Sequence, residues 1–347
     1  MAFALYLCVM RLASLLLVLF FPIVFFPVAR FAASPDAAYR YIRIGNPKDV
    51  RTMPAFGIAL MGGGSDLDEA FRWLCNQGRG GDFLVLRAAG DDDYNAYVAG
   101  LCKLNSIATL IIPSVEAAKD PKVVDIIGHA EVIFIAGGDQ ARYVNFWRGT
   151  PVQDALNAHI AAGKPIGGTS AGLAVLGEFV YAALGDAPDD ADLASANVLP
   201  NPYHARVTLV RDFLKTPGLQ NVITDTHFTK RDRMGRSLVF LARIMQDGWS
   251  KSPREIAVDE KSAVLVDGNG KARVIGAGRG AYFIHPTQAP AVCSPNRPLT
   301  ISNISVYHAG SGAHFDLRAW RGEGGNAYSL SVEQGGIHST QPGGAVY

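Results

Sequence analysis

The sequence predicts an α/β fold: a mostly parallel sheet with helices on both faces, followed by a β-rich C-terminal extension. Between about residues 56 and 162, short apolar runs alternate with helical patterns. This alternation is typical of βαβ units, whose parallel strands are buried on both faces. Glycines end several of the apolar runs. After about residue 254, short runs separated by turn residues replace the helical patterns, which indicates antiparallel strands.

The N-terminal elements follow in order. A strand at 56–61 ends at Gly62, Gly63 and Gly64. Segment 66–75 has acids in its first turn and apolar residues at helical spacing, so it predicts a helix. The same reasoning predicts strands at 82–86, 108–113 and 131–136, and helices at 94–103, 121–128, 139–148 and 151–162.

For the C-terminal part of the chain, the sequence predicts only strands. Four short runs at 255–259, 262–267, 271–276 and 281–285 are followed by a Pro-rich linker at 286–298. Three further runs lie at 299–308, 314–320 and 327–332. We therefore expect one α/β domain over 50–285 and a β-rich extension over 286–347, without a separate catalytic unit in the extension.

Composition limits the possible partners. The chain has 347 residues, of which 49% are hydrophobic, and its formal net charge is +1. A chain of this size can bury a full core, and its near-neutral charge argues against nucleic acid or an anionic membrane surface as the main partner. Any recognition of charge is therefore expected to be local to a site.

The first 34 residues differ from the rest. An apolar stretch at 12–29 lies between Arg11 and Arg30 and is followed by the small residues Ala32, Ala33 and Ser34. This order is typical of a secretory signal peptide, and an uncleaved membrane anchor is the alternative. Both interpretations place the folded part outside the cytoplasm, either secreted or periplasmic.

The cysteines leave their pairing open. Cys8 lies in the N-terminal segment, so Cys75, Cys102 and Cys293 remain and at most one pair forms. The sequence has no CxxC motif and no Cys/His cluster at metal-ligand spacing, so we expect no metal and no other cofactor.

A candidate nucleophile lies in the Gly-x-Ser-x-Gly pattern of Gly168, Ser170 and Gly172. A short strand entry precedes this pattern, and an apolar segment at 171–183 predicts a helix after it. Such a strand-to-helix turn lifts a serine oxygen clear of the backbone, and the helix N-terminus favours developing negative charge. An ordinary glycine-rich turn is the alternative. Gly62–Gly64 and Gly137–Gly138 also follow strands, so we expect all three segments at one edge of the sheet.

A serine nucleophile needs a base, and His227 is the best candidate among the eight histidines. It follows a predicted strand and therefore lies at a carboxyl end as well. Arg231, Arg233 and Arg236 come next in the sequence. They predict an arginine group that binds a substrate carboxylate or fixes acids around the site, or else a solvated basic loop.

Three ordered motifs resemble the cyanophycinase and dipeptidase E family of serine peptidases: Gly137-Gly-Asp-Gln140, Gly168-Thr-Ser-Ala-Gly172, and Asp225-Thr-His-Phe with Arg231 to Arg236. The resemblance covers about residues 55–280 and implies a fold like that of class I glutamine amidotransferases. It implies that Ser170 is the nucleophile and His227 the general base. Gln140 would line the substrate pocket, and the backbone at Gly138 and Ala171 would supply oxyanion donors.

The orienting acid of the triad is less clear. The resemblance places it between the nucleophile and the histidine, and we predict Asp186 because it comes first after Ser170. Asp189, Asp190 and Asp192 lie in the same stretch. Asp225 is an alternative from geometry, since it lies two residues before His227 on the same strand face. Glu260 is a weaker alternative.

The resulting functional hypothesis is a secreted cyanophycinase-like serine peptidase. It would hydrolyse aspartyl amide bonds, in a cyanophycin-like polymer or in aspartyl peptides, through an acyl-enzyme. The family resemblance also implies a possible homodimer. Two alternatives remain open: an esterase of the α/β-hydrolase type, which shares the serine motif, and a non-catalytic secreted binding relative.

Overall fold

The computed structural model describes residues 38–187 and 190–347. The N-terminal segment 1–34 and the candidate acid Asp189 therefore lie outside the described residues. No helix within the described ranges combines the length and apolar character that a membrane span needs. The helices are α1 (Asp68–Gly78), α2 (Asp93–Leu101), α3 (Val115–Ala118), α4 (Pro121–His129), α5 (Gln140–Trp147), α6 (Pro151–Ala161), α7 (Ala171–Ala174), α8 (Ser195–Val198) and α9 (Met234–Gln246).

The strands form two sheets. They are β1 (Arg40–Gly45), β2 (Gly57–Met61), β3 (Asp82–Arg87), β4 (Ser106–Ile111), β5 (Val132–Ile135), β6 (Ile166–Thr169), β7 (Phe179–Tyr181), β8 (Leu209–Arg211), β9 (Val222–Asp225), β10 (Arg254–Val258), β11 (Ser262–Asp267), β12 (Lys271–Gly276), β13 (Ala281–Pro286), β14 (Ile301–Ala309), β15 (His314–Asp316), β16 (Arg321–Glu323), β17 (Asn326–Glu333) and β18 (Gly336–Ser339).

The first sheet has the order β1-β4-β3-β5-β6-β2-β11-β12-β15-β16. Its centre, from β4 to β2, is parallel, whereas β1 and the last four strands pair antiparallel. Alternate strand residues point to opposite faces. Ala59 and Met61 pack with α1 and α2, and Ile58 and Leu60 pack with α4, α5 and α6. The predicted sheet with helices on both faces is thereby confirmed.

The second sheet has the order β18-β17-β14-β13-β10-β9-β7-β8, with parallel pairs only at β7–β9 and β9–β10. One face packs against α9 through side chains such as Ile223 and Ile284. The other face, including Ile256 and Phe283, shares a buried cluster with strands of the first sheet. The β-rich tail contributes to both sheets, since β15 and β16 extend the first and β14, β17 and β18 extend the second.

The predicted helix over 171–183 is wrong beyond its first turn. Helix α7 ends at Ala174, and the apolar residues that follow it form β7. Phe179 pairs with Ile223 of β9, so this segment is buried as a strand of the second sheet. A short apolar run has the same composition in a buried strand and a buried helix, which is why the pattern misled.

A disulfide joins α1 to the end of α2. Cys75 and Cys102 are bonded across a sequence separation of 27 residues, and Cys293 is buried and unbonded among the described cysteines. A cross-link that closes a loop of this length lowers the entropy of the unfolded chain, and it thereby stabilises the folded protein by about 3 kcal/mol. We expect Cys75→Ser/Cys102→Ser to lose about that much free energy of unfolding in denaturant titration. Cys293→Ala is the control for a lost buried sulfur, and an equal loss in both variants would contradict the prediction.

Candidate active site

Ser170 lies in a strained turn at the carboxyl end of β6. Its backbone has φ 50° and ψ −120°, and α7 begins at the next residue. Gly172 is necessary for this turn, because a Cβ there would overlap the carbonyl oxygen of Ile135. The Ser170 N–H donates to the carbonyl of Met61 at 3.1 Å, which fixes the turn to β2. A left-handed backbone on a non-glycine residue is costly and is often found at functional sites.

Two glycine segments lie on either side of Ser170. Strand β6 pairs with β5, which ends before Gly137, and with β2, which ends before Gly62. A Cβ on Gly137 would lie 3.5 Å from the Cβ of Ser170. The three glycine-rich strand ends therefore meet at one edge of the sheet, as the sequence predicted.

His227 reaches Ser170 from the second sheet. It follows β9, has a left-handed backbone with φ 46°, and donates its N–H to the carbonyl of Gly62 at 2.8 Å. Its Nε2 lies 2.7 Å from the Ser170 Oγ. The histidine is only 6% exposed. The loop after β2 thus holds both side chains, since Met61 contacts the serine backbone and Gly62 the histidine backbone.

Glu260 orients the histidine. Its Oε1 lies 2.7 Å from the His227 Nδ1. Because a carboxylate is an acceptor, the Nδ1 carries the proton, and Nε2 is left to accept from the serine hydroxyl. Asp259 joins the segments that carry His227 and Glu260, because its carboxylate accepts from the N–H groups of Thr229 and Glu260. Ser170, His227 and Glu260 therefore form a continuous relay of hydrogen bonds.

The prediction of Asp186 as the orienting acid is corrected by this geometry. Asp186 accepts from the Tyr181 hydroxyl at 3.0 Å and from Arg206 Nε at 2.6 Å, and these contacts fix it away from the histidine. Asp190 also faces Arg206, Asp192 pairs with Arg231 and Arg233, and Asp225 pairs with Arg236. Glu260, the weaker alternative in the sequence, occupies the place assigned to Asp186.

The sequence contained only part of the signal for Glu260. Strands β9 and β10 are parallel neighbours, with Asp225 opposite Ala257. The residues after both strands, His227 and Glu260, therefore leave the sheet at the same edge. The sequence predicted a strand at each place but did not predict that the two strands pair.

Burial and nearby cations shape the electrostatics of the relay. Burial is the main cause that lowers the pKa of His227 below its ordinary value of 6.5, and Arg231 and Arg233 lower it further, while Glu260 acts in the opposite direction. The hydrogen bond from His227 lowers the pKa of Glu260. The pair is therefore a neutral histidine beside an ionised glutamate near pH 7, which is the protonation state of a general base.

These shifts predict the pH dependence. His227 must be neutral to accept a proton, so the rate of acylation of Ser170 should rise with pH and reach half its maximum below pH 6.5. Arg231→Met removes a cation that lowers the pKa of His227, so its midpoint should lie at higher pH than that of the wild type. Rates of labelling by a fluorophosphonate across pH measure both midpoints. A wild-type midpoint above 6.5 would contradict the account.

Gly63 leaves room for the histidine ring. Its φ is +92°, and a Cβ there would lie 2.5 Å from the His227 Nε2. We expect Gly63→Ala to displace the ring and to lower the labelling rate of Ser170 at least a hundredfold, because the Cβ occupies the space of the reacting nitrogen. Gly163→Ala is the matched control. That glycine also has a positive φ, of +72°, but a Cβ there meets nothing within 4 Å. Equal rates in the two variants would refute this role of Gly63.

The predicted oxyanion donors border the serine. The Ala171 N–H is at the first position of α7, where a helix offers no partner of its own. Gly138 lies one residue beyond Gly137, the neighbour of Ser170. The role of both as oxyanion donors stays a prediction.

A cleft of about 400 Å³ adjoins Gly138. Gln140 lines it together with acidic and basic side chains, and its role in a substrate pocket stays a prediction. The charged residues of the lining are Asp139, Asp186, Asp192, Arg142, Arg231, Arg233 and Arg236.

The three predicted arginines differ in their contacts. Arg231 is 36% exposed in its side chain and donates to Asp192 at 2.9 Å. Arg233 is buried and contacts Asp192, the Thr226 carbonyl and Asp225. Arg236 is 2% exposed, and both its Nε and Nη2 donate to Asp225. The prediction that Arg236 binds substrate is therefore corrected: its donors are taken by a buried carboxylate, and it fixes an acid beside the site.

Within the described ranges, no three His, Cys, Asp or Glu side chains converge as metal ligands do. The groups that this site offers for catalysis are those of the hydrogen-bonded relay, Ser170, His227 and Glu260. A serine, a base and an orienting acid joined by two short hydrogen bonds, at the carboxyl edge of an α/β sheet, define the class of serine hydrolases.

Comparison with known proteins supports this class. Residues 60–201 match the model of peptidase family S51. The cyanophycinase of Synechococcus elongatus is 31% identical over 193 residues, covering 54% of this chain and 52% of that protein. The cyanophycinase of Trichormus variabilis is 27% identical over 190 residues, covering 53% of this chain and 56% of that protein. The chain thus spans about half the length of these curated relatives.

Among solved structures, a peptidase from an acI-B1 actinobacterium aligns with 65% of this chain and 89% of its own, at 18% identity and a TM-score of 0.45. The family model and the curated relatives confirm the family resemblance seen in the motifs, over about half of this chain. The matched segment contains Ser170, whereas His227 and Glu260 come from the chain beyond it.

Proposed function

We propose that this protein hydrolyses aspartyl amide bonds through an acyl-enzyme. The Ser170 Oγ transfers its proton to the His227 Nε2 as it attacks the amide carbonyl, and the Glu260 carboxylate stabilises the imidazolium. His227 then gives that proton to the departing amine, so the C–N bond breaks and an ester to Ser170 remains. Water, deprotonated by the same histidine, hydrolyses the ester. The observation that carries the proposal is the pair of 2.7 Å contacts on the two ring nitrogens.

The charges of the cleft support an aspartate-containing substrate. A polymer of aspartate and arginine, as cyanophycin is, presents both carboxylate and guanidinium groups. The cleft offers the carboxylate of Asp139 and the guanidiniums of Arg142 and Arg231. The curated relatives, which are cyanophycinases by name, point to the same class. Charged groups of both signs suit either the polymer or aspartyl peptides.

The order of the three residues disfavours the esterase alternative. The relay reads Ser170, His227, Glu260 along the chain. Enzymes of the α/β-hydrolase type have the acid before the histidine.

Purified protein and Ser170→Ala, assayed on β-aspartyl-arginine polymer, α-aspartyl dipeptides and short acyl esters, test the proposal. Release of amine from polymer or dipeptide by the wild type alone supports it. Turnover of esters without either amide would favour the esterase. No turnover of any substrate, with no fluorophosphonate adduct, would favour the binding relative.

The cellular setting is part of the proposal. We infer that the folded domain acts outside the cytoplasm, after removal of segment 1–34 or anchored by it. The Cys75–Cys102 disulfide supports an oxidising compartment. The N-terminal sequence and cell fraction of the expressed protein test this inference, and full-length protein in the cytoplasm would overturn it. A homodimer, which only the family resemblance supports, is tested by light scattering.

A further inference from the structure

Residues 341–347 run from the β-rich extension back to the loop that carries the catalytic histidine. The Tyr328 hydroxyl of β17 donates to the Val346 carbonyl at 2.9 Å. Val346 and Tyr347 pack against the core between the second sheet and α9. The segment is thus fixed to the sheet immediately before its last side chain, that of Tyr347.

Tyr347 binds the far end of the histidine loop, which spans residues 227–233. Its hydroxyl accepts from the Met234 N–H at 2.9 Å and donates to Asp232 Oδ1 at 3.0 Å. Its ring lies edge-on to Phe228, the residue after His227, with centroids 5.7 Å apart. One side chain therefore contacts both ends of the loop.

Two backbone hydrogen bonds join the two ends of the loop. The Arg231 N–H donates to the His227 carbonyl at 3.1 Å, and the Arg233 N–H donates to the Phe228 carbonyl at 3.0 Å. Asp232 has a left-handed backbone with φ 48°, so the turn is held against strain. Ser195 supports the same corner, since its Oγ donates to the Asp232 carbonyl at 2.8 Å.

We propose that Tyr347 is a positioning residue of the active site, through which the β-rich extension holds the His227 loop in its reactive geometry. The phenol fixes Asp232 and the start of α9, and the ring supports Phe228. The His227 Nε2 stays 2.7 Å from the Ser170 Oγ as a result. Tyr347 lies outside the segment that matches family S51. The inference rests on the proposed function in one respect: Ser170 must be the reactive group.

Tyr347→Phe tests this proposal, because it removes the hydroxyl and keeps the ring. The matched control is Tyr203→Phe. The Tyr203 hydroxyl also donates to an aspartate, at 2.7 Å, but this aspartate is Asp247, just beyond the opposite end of α9. Thirteen helical residues place that end about 20 Å away. Both variants lose one phenol–carboxylate hydrogen bond, and Tyr347→Phe also loses the bond from the Met234 N–H.

We expect Tyr347→Phe to lower the second-order rate of fluorophosphonate labelling at Ser170 about fivefold, the ratio that one ordinary hydrogen bond supports. Tyr203→Phe should label at the wild-type rate, although its melting temperature also falls. The His227 Nδ1 proton resonance should broaden or shift in Tyr347→Phe only. Deletion of residues 341–347 should slow labelling further.

Equal labelling rates in Tyr347→Phe and Tyr203→Phe, with an unchanged His227 resonance, would overturn the positioning role. A wild type that takes no label would overturn the proposed function instead. The His227 resonance then decides the positioning role by itself: a change in Tyr347→Phe supports it and no change overturns it.

Discussion

Replacing Glu260 by glutamine should lower the fluorophosphonate labelling rate of Ser170 about a thousandfold. Glutamine keeps the size of the side chain but removes the charge that stabilises an imidazolium. Its amide can also donate to Nδ1, which would leave the proton on Nε2 and the ring unable to accept from the serine. Labelling measures the reactivity of Ser170 without reference to a particular substrate, so it separates this effect from substrate binding.

Asp186→Asn is the matched control for that variant. Both changes replace a carboxylate with an amide at the edge of the same site, and Asp186 was the acid that the sequence favoured. Its carboxylate is held by Tyr181 and Arg206, so labelling should stay within about threefold of the wild-type rate. A large loss in Asp186→Asn together with a small loss in Glu260→Gln would reverse the assignment.

Arg236→Met should remove about 3–5 kcal/mol of the free energy of unfolding. The substitution leaves the Asp225 carboxylate, 3% exposed, without its main partner in the core. The fully buried Glu255 lies in the same region, and its pKa is raised well above the ordinary value by burial and then by the charge of Asp225. An uncompensated charge in this buried region therefore strongly destabilises the folded state. Urea titration of the wild type and the variant measures the loss.

Arg231→Met is the surface control, since the Arg231–Asp192 pair is about two-fifths exposed on average and should contribute no more than about 1 kcal/mol. The double variant Asp225→Asn/Arg236→Met removes both charges and should recover part of the loss. If Arg236→Met unfolds like the wild type but raises the KM for an aspartyl substrate, Arg236 binds substrate after all.

The sequence predicted the serine and the histidine because each follows a strand at the carboxyl edge. The alternation of apolar runs and helical patterns shows where each strand ends, and this does not require knowledge of which strands pair. Ser170 also stands in a glycine frame that few other functions require. The flanking glycines after β2 and β5 were predicted on the same grounds, and they lie on either side of the serine.

The acid of the relay depends on strand pairing, which local patterns do not contain. Asp186 is nearer to Ser170 in the sequence, but its segment lies beyond β7, where Arg206 holds it. Glu260 is 33 residues from His227 and reaches it because β9 and β10 are parallel neighbours. Strand pairing also explains why the helix predicted after Ala174 is absent: the segment pairs with β9 as strand β7, and its own sequence does not reveal that partner. The Tyr347 contact, 113 residues from Met234, leaves no local pattern at all.

The central claim is an activated serine at position 170 within a relay of Ser170, His227 and Glu260. Intact mass after exposure to a fluorophosphonate, for the wild type beside Ser170→Ala and Glu260→Gln, tests it most directly. We predict one adduct on the wild type, none on Ser170→Ala, and slow labelling of Glu260→Gln. An adduct that persists in Ser170→Ala, or a folded wild type that gains no mass, would contradict it.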